Sequence, residues 1–148
     1  MSIIKIGHRF KGVLPHILQE VADMGIDYNR SNPRHFDGGL RCIAFAFNGN
    51  KLIEYGENKK KTNPFTKKLY HDHLLNTIHA EADLVMKLLK DNNLHLVTDI
   101  IVIRGTAKPL NSHPCRVCTG LFNMYFSNVR MWYYDFDNDK WHCELIGD

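Results

Sequence analysis

Two short segments constrain this chain more than anything else in it. One is His79-Ala80-Glu81, and the other, further along, is Pro114-Cys115-Arg116-Val117-Cys118. A histidine and two cysteines are donors of the kind that hold Zn²⁺, and three protein ligands leave a fourth position open for water. A structural zinc site is normally closed by four protein ligands, so a metal with an open position is catalytic hardware. Glu81 stands two residues past the histidine, near enough to handle a proton of that water. If His79, Cys115 and Cys118 share one ion, the fold must bring two segments distant in sequence face to face.

The surrounding periodicities place both segments at helix starts. From about Lys11 to Met24, Val13, Leu14, Ile17, Leu18, Val21 and Met24 recur at helical spacing, and Gly25 reads as the stop. Residues 26–40 are rich in Asn, Asp, Pro and Gly and read as a loop. Arg41 to Phe47 is a nearly continuous apolar run, as expected of a strand buried on both faces. Asn48-Gly49 supplies a tight turn, and Lys51 to Tyr55 returns as the second strand of a hairpin. A long polar loop over Gly56 to Asn76 follows, and loops of that length tend to be functional.

The next helix opens at Thr77 or Ile78 and runs to about Leu89, with Ile78, Ala82, Val85 and Leu89 on one face. Asp99 to Arg104 is a buried strand, and Gly105 to His113 a loop. Pro114 suits a first helical position, where its missing N–H costs nothing, in a helix reaching about Phe126. Val129 to Tyr134 and Lys140 to Ile146 are strands whose connection, Asp135 to Asp139, is too short for a helical crossover, so they must be antiparallel.

Placement at helix starts has a chemical use. The partial positive charge and N–H groups there stabilise thiolates. Cys115 and Cys118, three residues apart on one helical face, can both reach one ion. Alone, a C-x-x-C can be a redox pair or chance, and a His-x-Glu at a helix start is mostly surface chemistry. Together, with Pro before the first Cys and a strand between the segments, they point to a zinc site.

At 148 residues, 44% hydrophobic and 24% charged, the sequence fits one globular domain spanning 1–148. The run Met1 to Ile6 is too short and polar for a signal peptide or membrane span, so a cytoplasmic location is expected. Cys42 and Cys143 are then expected to be free thiols rather than a disulfide. The net charge of +3 says little, but Lys59, Lys60, Lys61, Lys67 and Lys68 cluster. That cluster can attract phosphate, or it can be a solvated loop.

The pair H-x-E and P-C-x-x-C resembles the signature of the cytidine deaminase superfamily. The resemblance implies a three-layer α/β/α sandwich around a five-stranded mixed sheet, with the strands in the order second, first, third, fourth, fifth. An antiparallel last pair resembles the free-cytidine deaminases, whereas deoxycytidylate and tRNA adenosine deaminases typically set a helix between those strands. By resemblance, His79, Cys115 and Cys118 bind Zn²⁺. Glu81 takes a proton from the activated water, which attacks C4 of cytosine or C6 of adenine, and passes protons to the ring nitrogen and the departing ammonia. A carboxylate with both tasks needs a pKa raised by burial. Asn58 resembles the Asn that bonds the nucleoside sugar, and Ala80, Pro114 and Lys61 are the other expected substrate contacts.

Lys61-Thr62-Asn63-Pro64 resembles a Lys-Thr-His-Pro loop of phage deaminase-like proteins, with Asn63 in place of the His. His71 and His73 flank Asp72 but are too few for a second metal, and Trp132, Tyr133, Tyr134 and Trp141 read as sheet residues. The leading expectation is a hydrolase acting on cytosine in a free nucleoside or nucleotide, and the Lys-rich loop would favour a phosphorylated one such as cytidylate or deoxycytidylate. The alternatives are a deaminase of a base within RNA or single-stranded DNA, and a non-catalytic zinc-stabilised binding module. The resemblance also implies a homo-oligomer.

Overall fold

A computed structural model of the chain describes residues 4–31, 41–58, 79–114 and 116–147, with the backbone alone at Val117. In chain order these hold α1 (Leu14–Ser31), β1 (Cys42–Asn48), β2 (Lys51–Glu57), α2 (Ala80–Lys90), β3 (Asp99–Arg104), α3 (Arg116–Tyr125), β4 (Val129–Asp135) and β5 (Lys140–Ile146). A short 3-10 turn at Leu94–Leu96 leads into β3. The strands form one sheet in the order β2-β1-β3-β4-β5. Only β3 and β4 run parallel; the other neighbours, including the last pair, are antiparallel.

The two-residue side-chain period of the strands decides which layer each residue feeds. Ala44, Ala46, Ile100, Val102 and Met131 pack against α2 and α3, while Ile43, Phe45, Phe47, Ile101 and Ile103 pack against α1. β1 and β3 are therefore covered on both faces, which is why they read as unbroken apolar runs. The result is the expected three-layer sandwich, with one helix on one side and two on the other among the described residues.

Two local expectations are corrected. Gly25 does not stop α1, which continues to Ser31. A Cβ at residue 25 would lie 3.0 Å from Ile103 side-chain atoms, so this glycine lets the helix cross β3 closely. The stripe carries on through Ile26 and Asn29, and Asn29 is buried because its Nδ2 donates to the carbonyls of Gly105 at 2.9 Å and Arg41 at 3.4 Å. The hairpin turn also shifts by one residue. Asn48 pairs with Lys51, so the loop is Gly49-Asn50, with Gly49 at φ +61.

The outer edge of β2 does not face solvent unguarded. Near its start, Gly7 N–H donates to Leu52 O at 2.7 Å and Leu52 N–H to His8 O at 2.9 Å, so the N-terminal segment covers that stretch. The parallel pair is held by Asp99, fully buried, which meets Arg130 Nε at 2.9 Å and accepts from Trp132 Nε1 at 2.9 Å. Trp132, Tyr133, Tyr134 and Trp141 are all sheet residues, as expected. Cys42 on β1 and Cys143 on β5 have two strands, β3 and β4, between them, and both are free thiols.

Candidate active site

α2 begins at Ala80 with His79 as its N-cap residue, in extended backbone at φ −70, ψ 153. This corrects the expected start at Thr77 or Ile78, because His79 is in extended backbone and the helix begins only after it. The histidine does not cap the helix with its ring. Its carbonyl instead accepts from Asp83 N–H at 2.9 Å, and the imidazole turns toward α3. There His79 Nδ1 lies 3.4 Å from Cys118 Sγ, and that sulfur is fully buried. Two residues distant in sequence and carried by different helices have thus been brought to contact distance.

The spacing fits the donor set. Ligands at a Zn–S distance of about 2.3 Å and a Zn–N distance of about 2.0 Å stand about 3.5 Å apart across a tetrahedral angle. The third expected ligand, Cys115, lies outside the described residues, but its neighbours are fixed. Pro114 is buried, and its carbonyl accepts from His113 Nδ1 at 2.8 Å. His113 Nε2 is 3.2 Å from Glu144 Oε1, and Tyr133 donates to the same oxygen at 3.1 Å. Just upstream, Ser112 N–H donates to Tyr134 O at 3.1 Å, and Tyr134 N–H donates to Ser112 Oγ at 2.8 Å. The final hairpin therefore moors the segment that leads into Cys115.

Glu81 sits in the first turn of α2 and is only 6% exposed. Its acidic charge near a helix N-terminus is favourable. Ala80 beside it is buried in the core layer under α2. Cys42, at the start of β1, is close enough to register Glu81 electrically. Burial first, and the Glu81 charge second, push its thiol well above its usual value, against Arg104 and Arg41.

Asn58 directly follows β2 and bonds to the start of β1. Its Oδ1 accepts from Cys42 N–H at 3.0 Å, its own N–H donates to Cys42 O at 3.3 Å, and its carbonyl accepts from Arg41 Nη1 at 3.2 Å. Arg41 also lies 3.8 Å from Glu57, both side chains being buried, and Tyr28 donates to the same carboxylate. Burial and that bond push the Tyr28 hydroxyl far above its usual range. Lys61, the lysine cluster, His71 and His73 lie outside the described residues.

The sequence reading missed Gly56. A Cβ there would stand 2.4 Å from Ala80 O and 2.4 Å from Leu84 N, so only glycine lets the first turns of α2 lie this close to β2. A glycine inside a strand is itself a signal of close backbone approach. It missed Asp83, Arg41 and Tyr28 as well, whose roles depend on partners far away in sequence.

Solved structures share this fold. A cytidine deaminase from Burkholderia pseudomallei superposes with a TM-score of 0.60 at 15% identity, covering 90% of this chain and 93% of that one. A cytidine deaminase from Mycobacterium leprae gives 0.52 at 15% identity, covering 76% and 85%. The chain has the cytidine deaminase-like fold. No protein-family model matches the sequence, and no curated protein matches it either. At this identity the likeness carries the deaminase-like architecture alone, and the roles of individual residues rest on the contacts above.

Proposed function

We propose that the chain is a zinc-dependent hydrolytic deaminase that converts cytosine to uracil in a free nucleoside or nucleotide. The observation that carries this reading is the 3.4 Å approach of His79 Nδ1 to Cys118 Sγ beside the buried Glu81. Zinc held by His79, Cys115 and Cys118 would supply an open position at which water becomes acidic enough to react near neutral pH.

The chain's own groups do the rest. The converging starts of α2 and α3 favour the thiolate form of the cysteines. Glu81 accepts one proton of the attacking water as its oxygen bonds to C4 of the base, and passes that proton to the ring nitrogen. It then takes the second proton from the new C4 hydroxyl and gives it to the amine, so that the C–N bond breaks, ammonia departs and the C4 oxygen becomes the carbonyl. Burial keeps bulk water from competing for those protons. Asn58, held through Cys42 and Arg41, is proposed to meet the sugar, and Ala80, Pro114 and Lys61 are the further proposed substrate contacts.

A free substrate is favoured by the antiparallel β4–β5 hairpin, the arrangement that resembles free-cytidine deaminases. No helix among the described residues is long and apolar enough to cross a membrane. The test is ammonia release from cytidine, deoxycytidine, their monophosphates, adenosine, and RNA and single-stranded DNA oligomers, with zinc measured in the same sample. Release from a free cytosine nucleoside or nucleotide is expected. Release only from oligomers would replace the substrate class, and none from any substrate by zinc-loaded protein would overturn the reading.

A further inference from the structure

Asn58 N–H bonds inward to Cys42 on β1, so by the alternation of an antiparallel pair Tyr55 and Glu57 turn their backbone groups to the outer edge of β2. Two side chains of α2 meet them there. Asp83 Oδ2 accepts from Glu57 N–H at 3.0 Å, and Lys87 Nζ donates to Tyr55 O at 3.0 Å. The two side chains are themselves paired at 3.3 Å, four residues apart on the helix, and Lys87 lies 4.8 Å above the Tyr55 ring. Acceptor and donor stand where a neighbouring strand would present its carbonyl and N–H.

Covering an edge does not require a buried charge, because solvated polar groups suffice. Asp83 is 3% exposed, so its carboxylate has given up water for these partners. Such a group accepts little displacement, since any slip of α2 along β2 leaves it poorly paired in a dry setting. It belongs to the helix turn that carries His79 and Glu81, and it grips the residue immediately before Asn58. Gly56 brings the two backbones close enough for that grip.

We propose that Asp83, supported by Lys87, is a positioning residue of the deaminase site. It fixes the register of α2 on β2, and with it the offset between Glu81 and His79 on one element and Asn58 on the other. The proposal deepens the deaminase reading and rests on it for its catalytic meaning. Loss of alignment of about 1 Å between a binding group and a reacting group can cost on the order of 100-fold.

The experiment compares Asp83→Ala, Asp83→Asn and Lys87→Met with the full-length parent, using steady-state kinetics per bound zinc and amide hydrogen exchange at Glu57 by NMR. Asp83→Ala is expected to lower kcat/KM by about 10- to 100-fold, with KM rising, and to speed exchange at Glu57 at least tenfold. Asp83→Asn keeps an acceptor oxygen and should recover most of both losses. Lys87→Met, which keeps its alkyl chain on Tyr55, should shift both readouts the same way by less, and it decides the matter if Asp83→Ala does not fold. A fall in kcat that merely follows zinc content at unchanged KM, or Asp83→Asn as impaired as Asp83→Ala, overturns the proposal. If the parent deaminates nothing, the deaminase reading fails, and exchange alone decides the register. Faster exchange confined to 54–58 and 80–84 upholds it, and unchanged exchange at Glu57 overturns it.

Discussion

Gly56→Ala is the sharpest probe of how α2 sits on the sheet. The added Cβ would lie 2.4 Å from Ala80 O, 2.4 Å from Leu84 N and 2.8 Å from Leu84 Cα, whereas ordinary contact begins near 3.4 Å. All three atoms are backbone, so no side chain can swing aside, and α2 must withdraw by about 1 Å (3.4 minus 2.4). Overpacking of this kind costs about 1–3 kcal/mol. The residue is not in left-handed backbone, so alanine brings an unfolded-state gain of about 0.4–1 kcal/mol that offsets part of that. The net loss should be roughly 1–2 kcal/mol, or a fall in Tm of about 2–8 °C for a domain of this size. Gly120→Ala is the matched control. It lies exposed within α3 with nothing within 4 Å of its added Cβ, so it should gain about 0.5–1 kcal/mol. Urea unfolding at unchanged m measures both. In zinc-loaded Gly56→Ala, kcat/KM should also fall by on the order of 10- to 100-fold, because the turn bearing His79 and Glu81 has moved. Stability equal to or above the parent would show that α2 and β2 do not approach as described.

Glu81→Gln should retain stoichiometric zinc and the fold while losing nearly all turnover, by about 100-fold or more, since an amide cannot shuttle protons; metal analysis beside the ammonia assay checks it, and substantial residual activity contradicts the mechanism. Cys42 reports the same charge from the other side. Its thiol is held well above 9.0 by burial and by Glu81, so little thiolate is present at neutral pH and alkylation should be slow there, rising only in alkaline solution. Removing the Glu81 charge takes away one of the two forces raising that value, so Glu81→Gln should speed Cys42 alkylation at fixed pH, read by mass spectrometry of the modified peptide. An unchanged rate would place Cys42 outside the field of Glu81.

What could be read from the sequence was written locally. The strands β1 and β3 declare themselves as apolar runs because both their faces are covered, and the short Asp135 to Asp139 link forces β4 and β5 antiparallel. The segments proposed to bear the metal stand out because ligand chemistry admits few residue types at few spacings, and His79 and Cys118 lie 3.4 Å apart. The end of α1 was not legible. Asn29 looks like a loop residue until the carbonyls of Gly105 and Arg41 are seen to pay for its burial, and those lie far away along the chain.

The same blindness covers the registration of the site, and Asp83 shows why. Asp83 and Lys87, four residues apart, are indistinguishable in sequence from the solvated ion pairs that decorate many helices and contribute a few tenths of a kcal/mol. What separates this pair from those is burial of the carboxylate and two backbone partners on another element, and neither has a trace in the local spacing. Arg41, Glu57 and Tyr28 follow the same logic at the other side of Asn58. The residues proposed to perform the chemistry are set by reaction type and can be named from a motif. Those proposed to hold these groups at a working offset are ordinary side chains made unusual by where they are buried. Substitutions that preserve His79, Glu81, Cys115 and Cys118 but alter Asp83 or Gly56 are therefore expected to leave the motif intact and still disturb the alignment proposed to serve it.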